Sequence, residues 1–266
     1  MDAPVTTTDK ETKFHWRGGL IAAAIIFVTG VLWECAARLE LLSPAFFPAP
    51  TVTVACVVRL LRSGELPLNA GVTLARLFIG FGLGGVTGLC LGLGMGWSRR
   101  LRSVVDPLVG LVHPIPKIAV LPLVMAFLGI GDTSKVAVIA LAAFFPVLIN
   151  SMNGVKQISG EHFEVARNFR AGPLKIFRRV VWPGSLPMTL TGTRLGFNSA
   201  LVVTVAVELV YARRGLGAMV WRAWETMRME ELYAGILVTG LIGISFNALL
   251  SSVMHRLVPW LPDVEV

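Results

Sequence analysis

The sequence predicts an all-α membrane protein with six transmembrane helices. Three observations carry this: 55% of the residues are apolar, only 15% are charged, and the apolar ones gather in long runs. Soluble domains hold about 25% charged residues, and about 20 apolar residues cover some 30 Å of hydrocarbon as a helix. A chain of 266 residues has room for several such crossings and for no large soluble domain. The formal charge of +8 does not form one continuous basic patch, so no nucleic-acid partner is expected. Lys and Arg lie instead beside the apolar runs, as they do in cytoplasmic loops next to membrane lipid.

The first crossing is Gly18 to Ala37, behind a segment (1–17) holding Lys10, Lys13 and Arg17. A cleaved signal peptide has an apolar run of only about 7–15 residues. This run is longer, and Trp33-Glu34 before Cys35 is too bulky and charged for a lipoprotein-type cleavage site, so a retained span is expected. The second crossing, Leu77 to Trp97, carries Gly80, Gly84, Gly88, Gly92 and Gly96. Glycine at every fourth position makes a smooth strip along one helix face and predicts close packing against another helix.

The third crossing, Val104 to Leu128, contains His113-Pro114-Ile115-Pro116-Lys117 and then Pro122. Each proline removes a backbone donor and disturbs the turn before it. Irregular backbone at membrane depth survives only inside protein or beside water. Two readings are open: Pro114, Pro116 and Lys117 line a path, or they form a kink near the surface with Lys117 reaching lipid headgroups. The fourth crossing is Val136 to Asn153, the fifth Leu195 to Ala212 and the sixth Leu232 to Val253, giving a membrane domain over 18–253 and a tail over 254–266.

Orientation follows from fourteen basic residues in one set of loops against nine in the other, with Lys117 left inside a span. The richer set includes both chain ends and the loop at about 154–194, so these are placed in the cytoplasm. Arg194 is counted with that loop.

Catalytic patterns are absent from the sequence. It has no GxxxxGK[ST] phosphate loop, no paired carboxylates and no Ser/His/Asp set. His15, His113, His162 and His255 are scattered, and Cys35, Cys56 and Cys90 have neither metal nor disulfide spacing. No enzyme activity, cofactor or metal is therefore expected. Asn150, Asn153, Asn198, Ser199 and Thr204 either line a polar passage or hydrogen-bond between helices. Glu208, in the outer part of the fifth span, reads as a solute contact or as an ion pair with Arg76 or Arg213.

The loop between the fourth and fifth spans is patterned as two short helices. Phe163, Ala166 and Phe169 recur every third residue and would share one face, with Glu161, Glu164 and Arg167 elsewhere. Ser159 is placed to cap the first helix, and its glutamates sit where the helix dipole favours them. Gly172-Pro173 ends it and opens a second helix, with Leu174, Phe177 and Val181 as an apolar stripe. A basic helix resting on anionic lipid accounts for the second half alone; two glutamates and two phenylalanines fit a protein groove better.

At Glu164-Val165-Ala166, Gly172 and Val180 to Pro183 the chain resembles the EAA loop of binding-protein-dependent ABC importer permeases. It is most similar to the nitrate/sulfonate/taurine/bicarbonate-type branch. The segments starting at Thr73, Ile115, Gly129, Phe145, Glu208 and Gly215 match in the same order. The resemblance implies a type I importer (MetI-like) architecture and an inner-membrane permease acting by alternating access. It implies as partners a second permease copy, forming a homodimer, two cytoplasmic ATP-binding subunits, and a periplasmic or surface-anchored solute-binding protein. ATP hydrolysis would belong to those subunits, and Glu161 to Gly172, with Glu164 and Arg170 in the contact, would be the helix seated in the ATPase. The implied solute is a small organic or inorganic anion such as a sulfonate, taurine or nitrate. Two departures stand out: Arg170 where the family pattern has glycine, and Trp182 where leucine is usual. The alternative, an ion-coupled secondary transporter, predicts inverted repeats and acidic relays, and neither is apparent.

Overall fold

The computed structural model describes residues 8–258; the outermost parts of both expected cytoplasmic ends, 1–7 and 259–266, lie outside the described residues. So do the side chains of residues 8–20 and 22. Among the described residues every regular element is helical.

Three helices make the centre: α3 (Glu65–Trp97), α6 (Asp132–Lys156) and α9 (Trp182–Tyr211). Helix α6 lies between the other two. The glycines of α3 let the backbones touch. A Cβ on Gly88 would come within 2.6 Å of the Phe144 carbonyl oxygen, and Gly84 and Gly92 face the carbonyls of Ala140 and Leu148. Gly80 abuts Ile139 and Gly96 abuts Val155, so all five lie against α6. On the other flank Gly192 and Gly196 of α9 meet Asn150 and Ala143. With no driving force between helices in lipid other than packing and hydrogen bonds, small residues at the seams allow the contact that holds them. The layers between are filled by Leu77, Ile139, Phe197 and Ala200 at mid-depth and by Met95, Phe145 and Leu148 nearer one end. Phe197 stacks flat on Phe246 of α11 (Met229–Leu257), ring centroids 3.4 Å apart.

Four helices among the described residues are long and apolar enough to cross a membrane: α3, α6, the continuous run Pro173–Tyr211, and α11. The expected third crossing is not a straight helix. It is α4 (Arg99–Val112) followed, after a bend of 90°, by a 3-10 turn (Lys117–Val120) and α5 (Leu121–Leu128). Pro114 and Pro116 lie in the bend, where two missing backbone donors leave a helix nothing to continue with. Counting this pair as one span gives five crossings; the six expected are thus four or five among the described residues. The expected first crossing falls within α1 (Thr8–Arg38), tied to α2 (Pro50–Arg62) where the Thr51 amide donates to Glu34 at 3.0 Å.

The fifth crossing starts earlier than its apolar run. Helix α8 (Pro173–Ile176) passes through a π turn (Phe177–Val181) into α9, one continuous run to Tyr211. The second half of the charged loop and the fifth crossing are one rod, and Arg194 lies well inside it rather than in a loop.

Candidate functional site

At the end of the bundle where α3 and α6 stop, a short helix, α7 (Gly160–Asn168), projects from the body. Ser159 caps it, its Oγ accepting from the Glu161 amide at 3.2 Å. Its other end closes with two crossed bonds: the Ala171 amide donates to the Ala166 carbonyl at 3.0 Å and the Arg170 amide to that of Arg167 at 2.8 Å. This closure requires a left-handed residue, and Arg170 supplies it at φ 52°. The turn is therefore built where the family pattern puts glycine, with an arginine carrying the strain.

Phe163 and Ala166 turn inward, and Phe163 packs against the buried cluster of Leu93, Val155 and Val181, as do Ile176 and Phe177. Phe169 does not share that face. The helix ends one residue before it, and its ring is 82% exposed. Leu174 likewise leaves the expected stripe, 71% exposed, because the π turn adds a residue and brings Ile176 inward instead. Glu161, Glu164, Arg167, Arg170 and Gly172 are all exposed. A helix capped at both ends and pinned by one phenylalanine thus presents two carboxylates, two guanidinium groups and the apolar Val165 and Phe169 to the outside.

The opposite end holds a buried polar network. Glu208, 1% exposed, accepts from Arg76 Nη1 at 2.7 Å, Thr73 Oγ1 at 2.8 Å and the Gly217 amide at 3.0 Å. Arg76 also donates to Asp132 at 2.8 Å and to the Arg214 carbonyl at 2.7 Å. Asn69 and Thr73 receive the amides of Gly215 and Leu216, which opens α10 (Leu216–Glu225). Gly215, at φ +127°, lies so close to Glu208 that any side chain there would collide with the carboxylate. Of the two roles open to Glu208, the ion pair with Arg76 is the one present, and its carboxylate has no route to open space in this state. Asn69 and Asp132 escaped the sequence reading; their signal, a polar residue at the edge of an apolar run, is shared by many ordinary helix ends.

In the bend, Lys117 donates to the carbonyls of His113 and Ile115, the latter at 3.0 Å, and stands 4.8 Å over the Phe145 ring. It closes the broken turn, while Pro114 and Pro116 are exposed. Among the polar residues of the spans, Thr204 is sealed and donates to the Ala200 carbonyl at 2.7 Å. Asn150 donates to the Pro146 carbonyl at 2.8 Å. Asn198 accepts from Asn247 of α11 at 3.2 Å. These residues do not meet at one point: Thr204 and Asn150 serve their own helices, and Asn198 alone bridges two.

Comparison with known proteins assigns the scaffold. Residues 84–262 match the family described as binding-protein-dependent transport system inner membrane component. The chain is 31% identical over 264 residues to the taurine transport system permease protein TauC of Escherichia coli (strain K12), covering 96% of each. It is 31% identical over 253 residues to the putative aliphatic sulfonates transport permease protein SsuC of Bacillus subtilis (strain 168), covering 95% of this chain and 91% of that one. The nitrate import permease protein NrtB of Synechocystis sp. is 26% identical over 194 residues, 73% of this chain and 70% of that one. Among solved structures, an inward-facing MetNI methionine ABC transporter superposes with a TM-score of 0.60 at 19% identity, over 70% of this chain and 92% of that one, which shows the fold alone. With the helical bundle and the projecting capped helix already in place, these matches establish that the chain belongs to the binding-protein-dependent transport system inner membrane components, as a permease of an ABC importer.

Proposed function

We propose that the chain, paired with a second permease copy, forms the inner-membrane path of an ATP-driven importer for a small organic sulfonate. In this reading α7, with residues 161–172, seats in a groove of each of two cytoplasmic ATPase subunits, and both chain ends lie on that side. A solute-binding protein delivers cargo to the opposite end. Closure of the ATPases on nucleotide displaces α7 and switches the spans between inward and outward opening.

The observation that carries the reading is the build of α7. Its caps and the Phe163 anchor make it rigid, while Glu161, Glu164, Val165 and Phe169 are left uncovered beyond the bundle. The sulfonate assignment draws on the taurine and aliphatic-sulfonate permeases, each 31% identical over nearly the whole chain.

The test is uptake of labelled taurine into proteoliposomes containing the permease, its ATPase and its binding protein. Accumulation should require ATP on the ATPase side and the binding protein on the other. Accumulation driven by a proton or sodium gradient without ATP would replace this reading with ion-coupled transport.

A further inference from the structure

Arg194 stands within α9, in the helical run long and apolar enough to cross a membrane, with no acidic partner among the described residues. Its level is fixed by its neighbours: Gly192 lies against Asn150 and the Pro146 carbonyl of α6, and Arg194 Nε donates to Asn247 Oδ1 of α11 at 3.2 Å. Asn247 is about ten residues from the end of α11, so the guanidinium lies roughly 15 Å into the bundle from the α7 end. An arginine at such depth is expensive, and in membrane proteins it faces an interior or a water-filled cavity and marks a path.

The side chain is oriented and only partly satisfied. Asn247 holds Nε and in turn donates its own amide to Asn198 at 3.2 Å, so a chain of three polar side chains joins α9 to α11. The two terminal nitrogens of Arg194 have no partner among the described residues, yet they are not among the sealed, unpartnered polar atoms, so they reach open space. Leu195 and Val202, on the outward side of the same helix, are 48% and 68% exposed, which leaves this flank of α9 uncovered beside the guanidinium. Thr191, Thr193, Asn198 and Ser199 make the surrounding stretch the most polar of the span; both threonines return their hydroxyls to their own helix.

We infer that Arg194, positioned by Asn247 and Asn198, is an anion subsite in the translocation path, binding the sulfonate group of the solute. A guanidinium presents parallel N–H donors that match two oxygens of a sulfonate, phosphate or carboxylate, and at low dielectric such bonds are strong. Neutral partners on Nε alone leave its charge available, where a carboxylate partner would cancel it. The same chemistry would take a lipid phosphate. This inference rests on the proposed sulfonate import for the choice of solute and on the geometry alone for the site.

The test uses the assembled permease–ATPase complex in nanodiscs of phosphatidylcholine, with ethanesulfonate as probe and thermal unfolding as readout. Ethanesulfonate should raise the melting temperature, and the uncharged ethyl methyl sulfone should not. Arg194→Gln should weaken the apparent affinity by roughly tenfold or more, the loss expected when charge-assisted hydrogen bonds are removed, and Arg194→Lys should retain part of it. Asn247→Asp puts a carboxylate on the guanidinium and should also abolish the response, with co-purification of the ATPase reporting that the variant is folded. An unchanged response in both Arg194→Gln and Asn247→Asp overturns the subsite. A stabilisation that depends on Arg194 but comes only from phosphatidylglycerol in the nanodisc, with none from ethanesulfonate, assigns the guanidinium to lipid and overturns the solute role. A normal ethanesulfonate response in a complex that imports no sulfonate leaves the subsite standing and rejects the proposed import instead.

Discussion

The Arg76 guanidinium stands 2.7 Å from the Glu208 carboxylate, although 132 residues separate them in the chain. The pair closes the end of the bundle away from α7, because Arg76 also reaches Asp132 and Arg214, and Glu208 also receives the Gly217 amide. Removing one partner from a buried pair leaves an uncompensated charge and costs about 3–5 kcal/mol. Glu208→Ala should therefore lower the detergent-solubilised melting temperature markedly, and Arg76→Met with Glu208→Leu together should cost less than the single change. A single variant melting with the parent would show that the network is not structural.

The α3–α6 seam separates two glycines of one helix. A Cβ on Gly84 would press into the Ala140 carbonyl, whereas a Cβ on Gly82 meets nothing within 4 Å. Gly84→Ala should cost about 1–3 kcal/mol through overpacking. Gly82→Ala should be neutral or gain up to about 1 kcal/mol from helix propensity. Yield and melting temperature, measured side by side, should fall for Gly84→Ala and stay level or rise for Gly82→Ala.

Arg170 holds a left-handed backbone at φ 52° without being glycine. Such a conformation costs a residue with a side chain roughly 1–2 kcal/mol. Arg170→Gly should slow hydrogen exchange over residues 160–171. If the guanidinium contributes to the ATPase groove, the same variant should also weaken co-purification of the ATPase.

Glu164 is exposed on α7. Glu164→Ala should leave the permease folded but reduce taurine uptake per ATP hydrolysed, read in proteoliposomes. Unchanged coupling would count against the proposed docking role of Glu164.

Burial raises the Cys56 thiol above its ordinary range, against the smaller opposing effect of Arg59, whose Nη2 lies 3.3 Å from the sulfur. The reactive form is the thiolate, so a raised pKa means less of it at any pH below that value. In a Cys35→Ser, Cys90→Ser background, maleimide labelling at pH 7 to 8 should stay negligible until the protein is denatured. Rapid labelling of the native protein would contradict the packing of Cys56 with Leu60, Leu66 and Met219.

What could be read before the structure was local. Ser159, the Gly172-Pro173 break and the composition of the apolar runs depend on residues near one another, and the helices begin or end where those signals lie. What could not be read depends on partners far away or on a backbone choice. Asp132 looks like any residue opening a helix until Arg76 is beside it. The left-handed turn at Arg170 is hidden because the residue that marks such turns is missing. Charge alone assigns Arg194 to a loop at the surface, and only its bond to Asn247 puts it at depth. The 90° bend was half legible: two prolines announce a break but not its angle.

The unbroken helix from Pro173 to Tyr211 has a mechanical consequence. At about 1.5 Å per residue it is a lever arm close to 58 Å long, and a tilt of only ~5° would swing one end by about 5 Å relative to the other. Gly192 and Gly196, pressed against α6 near its middle, are placed as the fulcrum. A push near Pro173 would thus arrive, reversed in sense, at the far tip where Glu208 grips Arg76.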